Sequence, residues 1–269
     1  MTHMTTKENI QSLFDAFKEL TLISDYEAYE SDVFLAVRSG FTSTPMFNFI
    51  LATKAFDVKE LVQLRSTLNV PFLFTALDPS LITPAIDKQL ADHEIVLAEH
   101  VEASYFDQWD QLTMPELPDA SYRIEAVTTI FQMNDFDRIS SLCFHHERGL
   151  AAKFMRGLII NGFHSEHFKL YMGYLGKTPV NIGLTYKINK KVAVNMWGAT
   201  HPDYQKKGFA TLLAAYRMDA LHKEGIETIL CQNMAASKNM YQRLGFKASG
   251  SFPFYVSTVG MGQSEGAQG

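Results

Sequence analysis

The sequence predicts an α/β fold, in which strands and helices alternate along the chain. Apolar runs with strand character alternate with amphipathic segments, most regularly between residues 192 and 256. Glycines and polar residues separate these segments, as turns require. The hydrophobic content of 46% and the charged content of 20% are those of a globular protein. A chain of 269 residues has room for one large domain or two of ordinary size.

The C-terminal half gives the clearest element predictions. Apolar residues at spacings of three and four predict a helix from Lys207, which Gly225 ends. The predicted strands are 121–127, 167–174, 179–188, 192–199, 227–232 and 246–256. The other predicted helices are 136–146, 150–160 and 235–244.

The N-terminal half ends in a similar order of elements. A helix is predicted at 57–68, a strand at 71–77, a helix at 82–92 and a strand at 95–105. The order helix, strand, helix, strand matches residues 207–256, so the halves are predicted to be diverged copies of one unit.

Two prolines, Pro115 and Pro118, predict the boundary between the halves, because proline ends regular structure. The predicted domains are therefore 1–117 and 118–259, followed by a disordered tail of small and polar residues at 260–269.

Composition argues against several classes of protein. The net charge of −5 argues against a general nucleic-acid binder. No stretch approaches the roughly 20 apolar residues of a membrane span. The N-terminus carries no apolar secretory segment, so we expect a cytoplasmic protein that does not bind a membrane. Cys143 and Cys231 are too few for a disulfide scaffold and are predicted to be buried thiols, with Cys231 lining a pocket as the alternative.

The segment Gln205–Ala210 is the strongest functional signal. An apolar strand leads into a short polar loop, and the loop opens directly into a helix. The first backbone N–H groups of a helix lack intrahelical partners and, with the helix dipole, bind anions such as a pyrophosphate. Gly208 allows the backbone to approach a phosphate closely, and Lys206 and Lys207 add positive charge.

Two motifs resemble the GNAT superfamily of N-acetyltransferases. They are His201-Pro-x-Tyr-Gln-x-x-Gly-Phe-Ala210 and Tyr241-x-x-Leu-Gly-Phe246. The resemblance covers roughly residues 121–256, and the N-terminal half is similar to the degenerate domain of some tandem members. It implies two domains, each a mixed, mostly antiparallel sheet flanked by helices, with a parallel strand pair that splays apart at the cofactor cleft.

The resemblance also implies a co-substrate, acetyl-CoA, and a set of residues that bind it. The end of the strand would pair with the pantetheine arm, and a backbone N–H near Ala199 would polarise the thioester carbonyl. Tyr241 would give a proton to the departing CoA thiolate. The implied binding residues are Gly198, Ala199, Thr200, Lys206, Lys207, Gly208, Phe209, Ala210 and Thr211.

The general base and the acceptor stay open at this point. Many family members carry a glutamate on the strand that enters the loop, but residues 192–198 contain no carboxylate or histidine. Glu166 or His167 is one alternative; a relaying water and an amine that arrives neutral are the others. The acceptor is expected to be a small-molecule or peptide amine, bound by residues 144–168 and by the last strands, including Phe254 and Tyr255.

Alternatives to this function also stay open. One is a non-catalytic acyl-CoA-binding sensor, and another is transfer of a longer acyl or an aminoacyl group. Either a monomer or a homodimer fits the sequence.

Two further signals are set aside. Gly176-Lys177-Thr178 lacks the first glycine of a P-loop and predicts a hairpin turn. The spacing of four histidines fits no metal signature, so no metal is expected; they are His145, His146, His164 and His167.

Overall fold

The computed structural model describes residues 4–22, 26–41, 44–117 and 119–258. The predicted tail at 260–269 lies outside these residues. The helices are α1 (Thr6–Leu22), α2 (Val58–Leu68), α3 (Pro84–Asp92), α4 (Ile130–Phe144), α5 (Leu150–Phe154), α6 (Arg156–Ile160), α7 (Phe209–Lys223) and α8 (Ala235–Arg243). The strands are β1 (Glu27–Glu30), β2 (Phe34–Arg38), β3 (Phe49–Ala52), β4 (Phe72–Ala76), β5 (Ile95–Phe106), β6 (Tyr122–Ala126), β7 (Phe168–Leu175), β8 (Thr178–Lys187), β9 (Val192–Thr200), β10 (Thr228–Asn233) and β11 (Lys247–Ser257).

The chain forms two compact units, and each takes residues from both ends of the sequence. The first unit comprises Met1–Asp25 and Val101–Ser251, and the second comprises Tyr26–His100 and Phe252–Gly269. The predicted boundary at 117 and 118 does not coincide with this division. The physical reason is strand pairing, because β5 from the N-terminal half pairs with β10 and α1 contacts β10.

The first unit contains a mixed sheet in the order β5-β10-β9-β8-β7-β6. Its neighbours are antiparallel except for β9 and β10, which run parallel. Parallel neighbours need a long crossover, and α7 supplies it. One face of α7 is buried against the sheet through Ala214, Ala215 and Met218, in a core that also holds Phe106 and Ile229.

The second unit repeats part of this arrangement. Its sheet runs β1-β2-β3-β4-β11, with β3 and β4 parallel and α2 as their crossover. The core is built from Phe34, Phe72, Phe74, Leu61 and Tyr255 among others. In both units an antiparallel strand precedes the parallel pair, and a strand from the other half of the sequence follows it.

Most of the predicted elements are confirmed to within a few residues, and two helices differ. The helix predicted at 136–146 begins at Ile130, because Thr129 and Gln132 form a capping box there. The helix predicted at 150–160 is two short helices, α5 and α6, that meet at Met155. The predicted hairpin turn at Gly176 is confirmed, since β7 and β8 pair up to Leu175 and Thr178.

Candidate functional site

The parallel strands β9 and β10 separate near their carboxyl ends. Their pairing runs from Val192 and Thr228 to Asn195 and Cys231. Beyond this point β9 continues along β8 up to Thr200, and β10 continues along β5. The two strands therefore open into a cleft at their carboxyl ends. In open α/β sheets this end of neighbouring parallel strands is where ligands bind.

A bulge in β9 forms one wall of this cleft. Met196 pairs with Leu184 and Ala199 pairs with Ile182, so Trp197 and Gly198 together lie opposite one residue of β8. Trp197 has a positive φ of 53°, which a bulky side chain adopts only under constraint. Gly198 is exposed.

Contacts of the Trp197 side chain supply that constraint. Its indole Nε1 donates to Ser140 Oγ at 2.9 Å, and Ser140 Oγ lies 2.8 Å from His146 Nε2. The ring of Phe154 lies 5.8 Å from the indole. Ser140 and His146 were not predicted as site residues, and their part here is to hold the bulge.

The start of α7 follows the end of β9 after residues 201–208, and Gly208 and Ala210 are exposed there. Gly208 is its N-cap with φ +87°, and among the described residues no side chain caps the helix. Phe209 anchors the first turn, because its carbonyl accepts from Asn181 Nδ2 at 2.8 Å and its ring lies 4.9 Å from that of Tyr122. The N–H groups of the first turn thus remain directed outward, as an anion site needs.

The two lysines of the loop differ in their contacts. Lys206 is exposed and has a positive φ of 60°. Lys207 Nζ donates to the carbonyl of Asp203 at 2.8 Å and lies 5.3 Å from the centre of the Tyr204 ring. The loop therefore fixes the Lys207 ammonium beside the helix N-terminus.

Tyr241 on α8 directs its hydroxyl towards the bulge. The residue is buried, and a Cβ placed on Gly198 would lie 3.8 Å from Tyr241 Oη. The hydroxyl accepts a hydrogen bond from Arg217 Nη2 at 3.4 Å, and the Cys231 thiol is another neighbour that affects its titration. Burial is the main cause that raises the pKa of Tyr241, and the Arg217 charge opposes this increase.

Several buried polar atoms around this cleft lack a hydrogen-bond partner among the described residues. They include both amide atoms of Asn195, where strand pairing ends, the Oδ1 atom of Asn233 and the Nε atom of Arg217. Buried polar atoms are normally satisfied by protein, water or ligand. The polar groups here fit a site that a polar molecule completes.

The predicted binding residues and Tyr241 come together at this end of β9 and β10. Gly198 and Ala199 line the separated part of β9, and the residues from Lys206 to Thr211 form the loop and the first turn of α7. The Thr200 carbonyl is already engaged, since it accepts from Gln205 Nε2 at 3.0 Å and from Cys143 Sγ at 3.4 Å.

The base candidates Glu166 and His167 do not reach this cleft. They precede Phe168, which pairs with Tyr186 at the other end of β8, beside the beginning of β9. At about 3.3 Å per strand residue and about 4.8 Å between neighbouring strands, this places them roughly 15–20 Å from Gly198. His167 instead lines a separate cavity of about 290 Å³ and bonds with the carbonyl of Lys187 at 2.8 Å.

Phe254 and Tyr255, predicted as acceptor contacts, belong to the second unit. Phe254 packs edge-on against Phe49, with the ring centres 5.8 Å apart. Tyr255 is buried in the core, and its hydroxyl donates to Asp87 at 2.7 Å. These contacts indicate that Phe254 and Tyr255 pack within the second unit.

Arg217 is the main residue of the site that the sequence did not single out. It lies on the apolar stripe of α7 between Leu213 and Leu221, at spacings of four residues, and it is 1% exposed. A cation at a core position of a helix indicates that the side chain has a specific partner, because arginine is almost never fully buried unless it is paired.

The described residues include neither a cluster of metal ligands nor a helix that could span a membrane. Within the described ranges, no three His, Cys, Asp or Glu side chains cluster as the ligands of a metal ion would. None of the helices in those ranges has both the length and the apolarity that crossing a bilayer requires.

Comparison with known proteins connects this geometry with a family. Residues 168–248 match the acetyltransferase (GNAT) domain, a family whose members use acetyl-CoA. No curated protein matches the chain significantly.

Solved structures with the same fold cover nearly the whole chain. A GCN5-related N-acetyltransferase from Kribbella flavida is 13% identical with a TM-score of 0.62, covering 92% of this chain and 95% of that chain. A GCN5-related N-acetyltransferase from Sphaerobacter thermophilus is 11% identical with a TM-score of 0.59, covering 92% and 90%. A tandem GNAT protein from the clavulanic acid biosynthesis pathway is 12% identical with a TM-score of 0.53, covering 94% and 96%.

Proposed function

We propose that the chain, whose residues 168–248 match the acetyltransferase (GNAT) domain, is an acyltransferase that transfers the acetyl group of acetyl-CoA to an amine. The proposal rests most on the position of Tyr241. Its hydroxyl faces Gly198, on the part of β9 that has separated from β10, within the same cleft as the exposed start of α7. An anion site and a proton donor thus lie along one strand end.

The start of α7 suits the pyrophosphate of CoA. The N–H groups of Phe209, Ala210 and Thr211 begin a helix of 15 residues that no side chain caps within the described part of the chain. Each helix N-terminus carries about half a positive charge. Lys206 and Lys207 add two full charges beside it. Gly208, with no Cβ, lets the phosphates approach the backbone.

The separated part of β9 suits the pantetheine arm and the thioester. Gly198 and Ala199 are accessible there, and a bulge leaves backbone groups unpaired with the neighbouring strand. Unpaired N–H and C=O groups can bond with the amides of pantetheine. A backbone N–H near Ala199 would polarise the thioester carbonyl and stabilise the oxyanion as it forms.

The proposed reaction is direct attack of the amine nitrogen on the thioester carbon. The C–N bond forms, the C–S bond breaks, and the CoA sulfur leaves with the electron pair. The Tyr241 hydroxyl gives its proton to that sulfur, and the amine loses one proton, so the products are an amide and free CoA thiol. Holding both reactants in one cleft supplies much of the rate.

The proton lost by the amine has no side-chain acceptor on β9, whose residues from Val192 to Thr200 include no carboxylate or histidine. We propose that the amine enters neutral or that water carries its proton away. The acceptor is proposed to be a small-molecule or peptide amine, and the protein to work in the cytoplasm without metal or nucleic acid, as a monomer or homodimer.

The test combines binding and turnover. Acetyl-CoA at 100 times its Kd should stabilise the fold by about 2.7 kcal/mol and raise the melting temperature. Thiol release should then appear with at least one member of a panel of alkylamines, aminosugars, amino acids and peptide N-termini. Tyr241→Phe should lower kcat by about 10²- to 10⁴-fold, the usual contribution of a general acid.

The control for this substitution is ligand binding. Tyr241→Phe keeps the ring that packs 5.0 Å from Phe246, so acetyl-CoA should stabilise the variant as it does the wild type. Absence of stabilisation by any acyl-CoA would refute the proposal. Stabilisation without thiol release from any amine would instead favour an acyl-CoA sensor. Faster thiol release from a longer acyl-CoA would show that the acyl donor is that thioester and not acetyl-CoA.

A further inference from the structure

Arg217 is a buried cation for which the described part of the chain provides no buried counter-charge. It is 1% exposed and the largest of the fully buried side chains. Among the described residues no carboxylate lies within ion-pair distance of its guanidinium, and its Nε has no hydrogen-bond partner. Burying a charge without a counter-charge costs stability. A buried charge held at such a cost is a candidate for a function.

The guanidinium reaches both the bulge and Tyr241. Nη1 donates to the carbonyls of Leu184 at 2.9 Å and Met196 at 3.1 Å, which flank the bulge between β8 and β9. Nη2 donates to Tyr241 Oη at 3.4 Å. A Cβ placed on Gly198 would lie 3.6 Å from Nη2. One side chain thus connects the wall of the cleft with the proposed proton donor.

Gly183 makes room for this side chain. A Cβ there would lie 2.7 Å from the guanidinium carbon, a distance that real contacts do not allow. Position 183 faces the bulge across the strand pair. The absence of a side chain at Gly183 therefore leaves the space in which the Arg217 guanidinium lies against β8.

The hydrogen bond from Arg217 determines where the phenolic proton points. A guanidinium can only donate, so Tyr241 Oη accepts from it and must direct its own proton elsewhere. The Cys231 thiol is a neighbour of this hydroxyl and is only a weak acceptor. A thiolate formed beside Gly198 is a stronger acceptor, and it would take the proton in place of Cys231.

We propose that Arg217 is a positioning residue for acyl transfer, which orients the Tyr241 hydroxyl as a donor and stabilises the phenolate formed when the proton leaves. The inference rests on the proposed role of Tyr241. In this step the O–H bond of Tyr241 breaks, an S–H bond forms on CoA, and the phenolate keeps the electron pair opposite the guanidinium. Solvent returns the proton once CoA has left.

The test is a double-mutant cycle of Arg217→Met and Tyr241→Phe, with acetyl-CoA and the amine of the panel that releases thiol fastest. Alone, Arg217→Met should lower kcat by about tenfold to a hundredfold, the usual value of a hydrogen bond to a charged group. KM for acetyl-CoA should change by less than about twofold, because Arg217 contacts Tyr241 and backbone carbonyls. In the Tyr241→Phe background the same substitution should change kcat by less than about twofold, since the group it acts through is absent.

Two further variants control for folding. Arg217→Lys keeps the positive charge and most of the volume, and it should recover part of the kcat that Arg217→Met loses. Arg123→Met makes the same substitution at an exposed cation stacked over Tyr174, and it should leave kcat unchanged. Stabilisation by acetyl-CoA, measured for every variant, shows which ones retain the cleft.

The outcomes separate the inference from the function on which it rests. Equal losses from Arg217→Met with and without the tyrosine hydroxyl would overturn the inference and make Arg217 a packing residue of the bulge. The inference is also overturned if Arg217→Met matches the wild type while Tyr241→Phe is impaired. If Tyr241→Phe keeps full activity, or no amine supports thiol release, the proposed function fails first and the role of Arg217 fails with it.

Discussion

Burial gives Tyr241 and Cys231 their chemical character. Both side chains are buried, and loss of solvent is the first cause that raises the pKa of each. A phenol held neutral in this way retains its proton until a stronger acceptor comes within reach. In the proposed reaction that acceptor is the departing thiolate. The positive charge of Arg217 offsets part of the effect of burial on the Tyr241 pKa.

The raised pKa of Cys231 predicts a pH dependence of stability. Burial raises it from 9.0 to about 12, so between these pH values the unfolded chain releases a proton that the folded chain keeps. Stability must therefore fall as pH rises through this range, by up to about 1.4 kcal/mol per pH unit for this thiol.

Cys231→Ala isolates this contribution. The variant loses packing at every pH but has no thiol to titrate, so the wild type's advantage in unfolding free energy should shrink from pH 9 upwards. Urea unfolding at pH 7 and at pH 10.5 measures this difference, and the pH 7 value is the control. A constant difference at both pH values would mean that the Cys231 pKa is not raised.

At single residues, part of the candidate site can be derived from the sequence. The positions of Gly208 and Tyr241 follow from local motifs, because a helix start and a Gly-Phe helix end have local signatures. Arg217, Ser140 and the positive φ of Trp197 depend on contacts between elements far apart in the chain. Periodicity alone assigns Arg217 to a core face without saying what it binds.

Among the elements, the starts of the two crossover helices differ in charge. In α7 the N-cap is Gly208, whereas in α2 it is Asp57, whose carboxylate accepts from the backbone N–H of Lys59 at 2.9 Å. A carboxylate at a helix start satisfies its donors and repels other anions. The uncapped start of α7 is the proposed pyrophosphate site, whereas the start of α2 carries its own anion.

Gly208→Glu should abolish this anion site. The glutamate places a negative charge and a side chain where the phosphates would lie, and acetyl-CoA affinity should fall by about a hundredfold or more. Titration calorimetry measures the loss.

Gly208→Ala is the matched control. It carries the same backbone strain of about 1–2 kcal/mol at a positive φ but no charge. It should therefore bind acetyl-CoA more tightly than the glutamate variant does. Normal binding by Gly208→Glu would show that the pyrophosphate lies elsewhere.

The element boundaries show what sequence patterns resolve. Helices and strands from 168 onwards follow periodicity closely, because each buries one regular face. The start of α4 was missed by six residues, since its first turn exposes Ile130 and Phe131 and is defined by the Thr129 cap. The separation of β9 from β10 depends on a bulge, which periodicity does not reveal.

In the whole molecule, each unit contains a parallel strand pair with a helical crossover, and the two pairs differ. The β3–β4 pairing runs up to Ala52 and Ala76, where both strands end. The β9–β10 pairing stops at Asn195, with β9 continuing to Thr200. This agrees with the predicted duplication, with a cleft retained in the first unit. The boundary predicted near Pro118 does not account for the pairing of β5 with β10 or of β11 with β4. Each pair joins strands from different halves of the sequence, and such pairing has no local signature.

The number of acetyl-CoA molecules bound per chain tests whether the cleft between β9 and β10 is the binding site. Calorimetric titration of the full chain with acetyl-CoA should give one site per chain, because the cleft between β9 and β10 is open whereas the start of α2 is capped by Asp57. Two sites per chain, or no binding at millimolar acetyl-CoA, would contradict it.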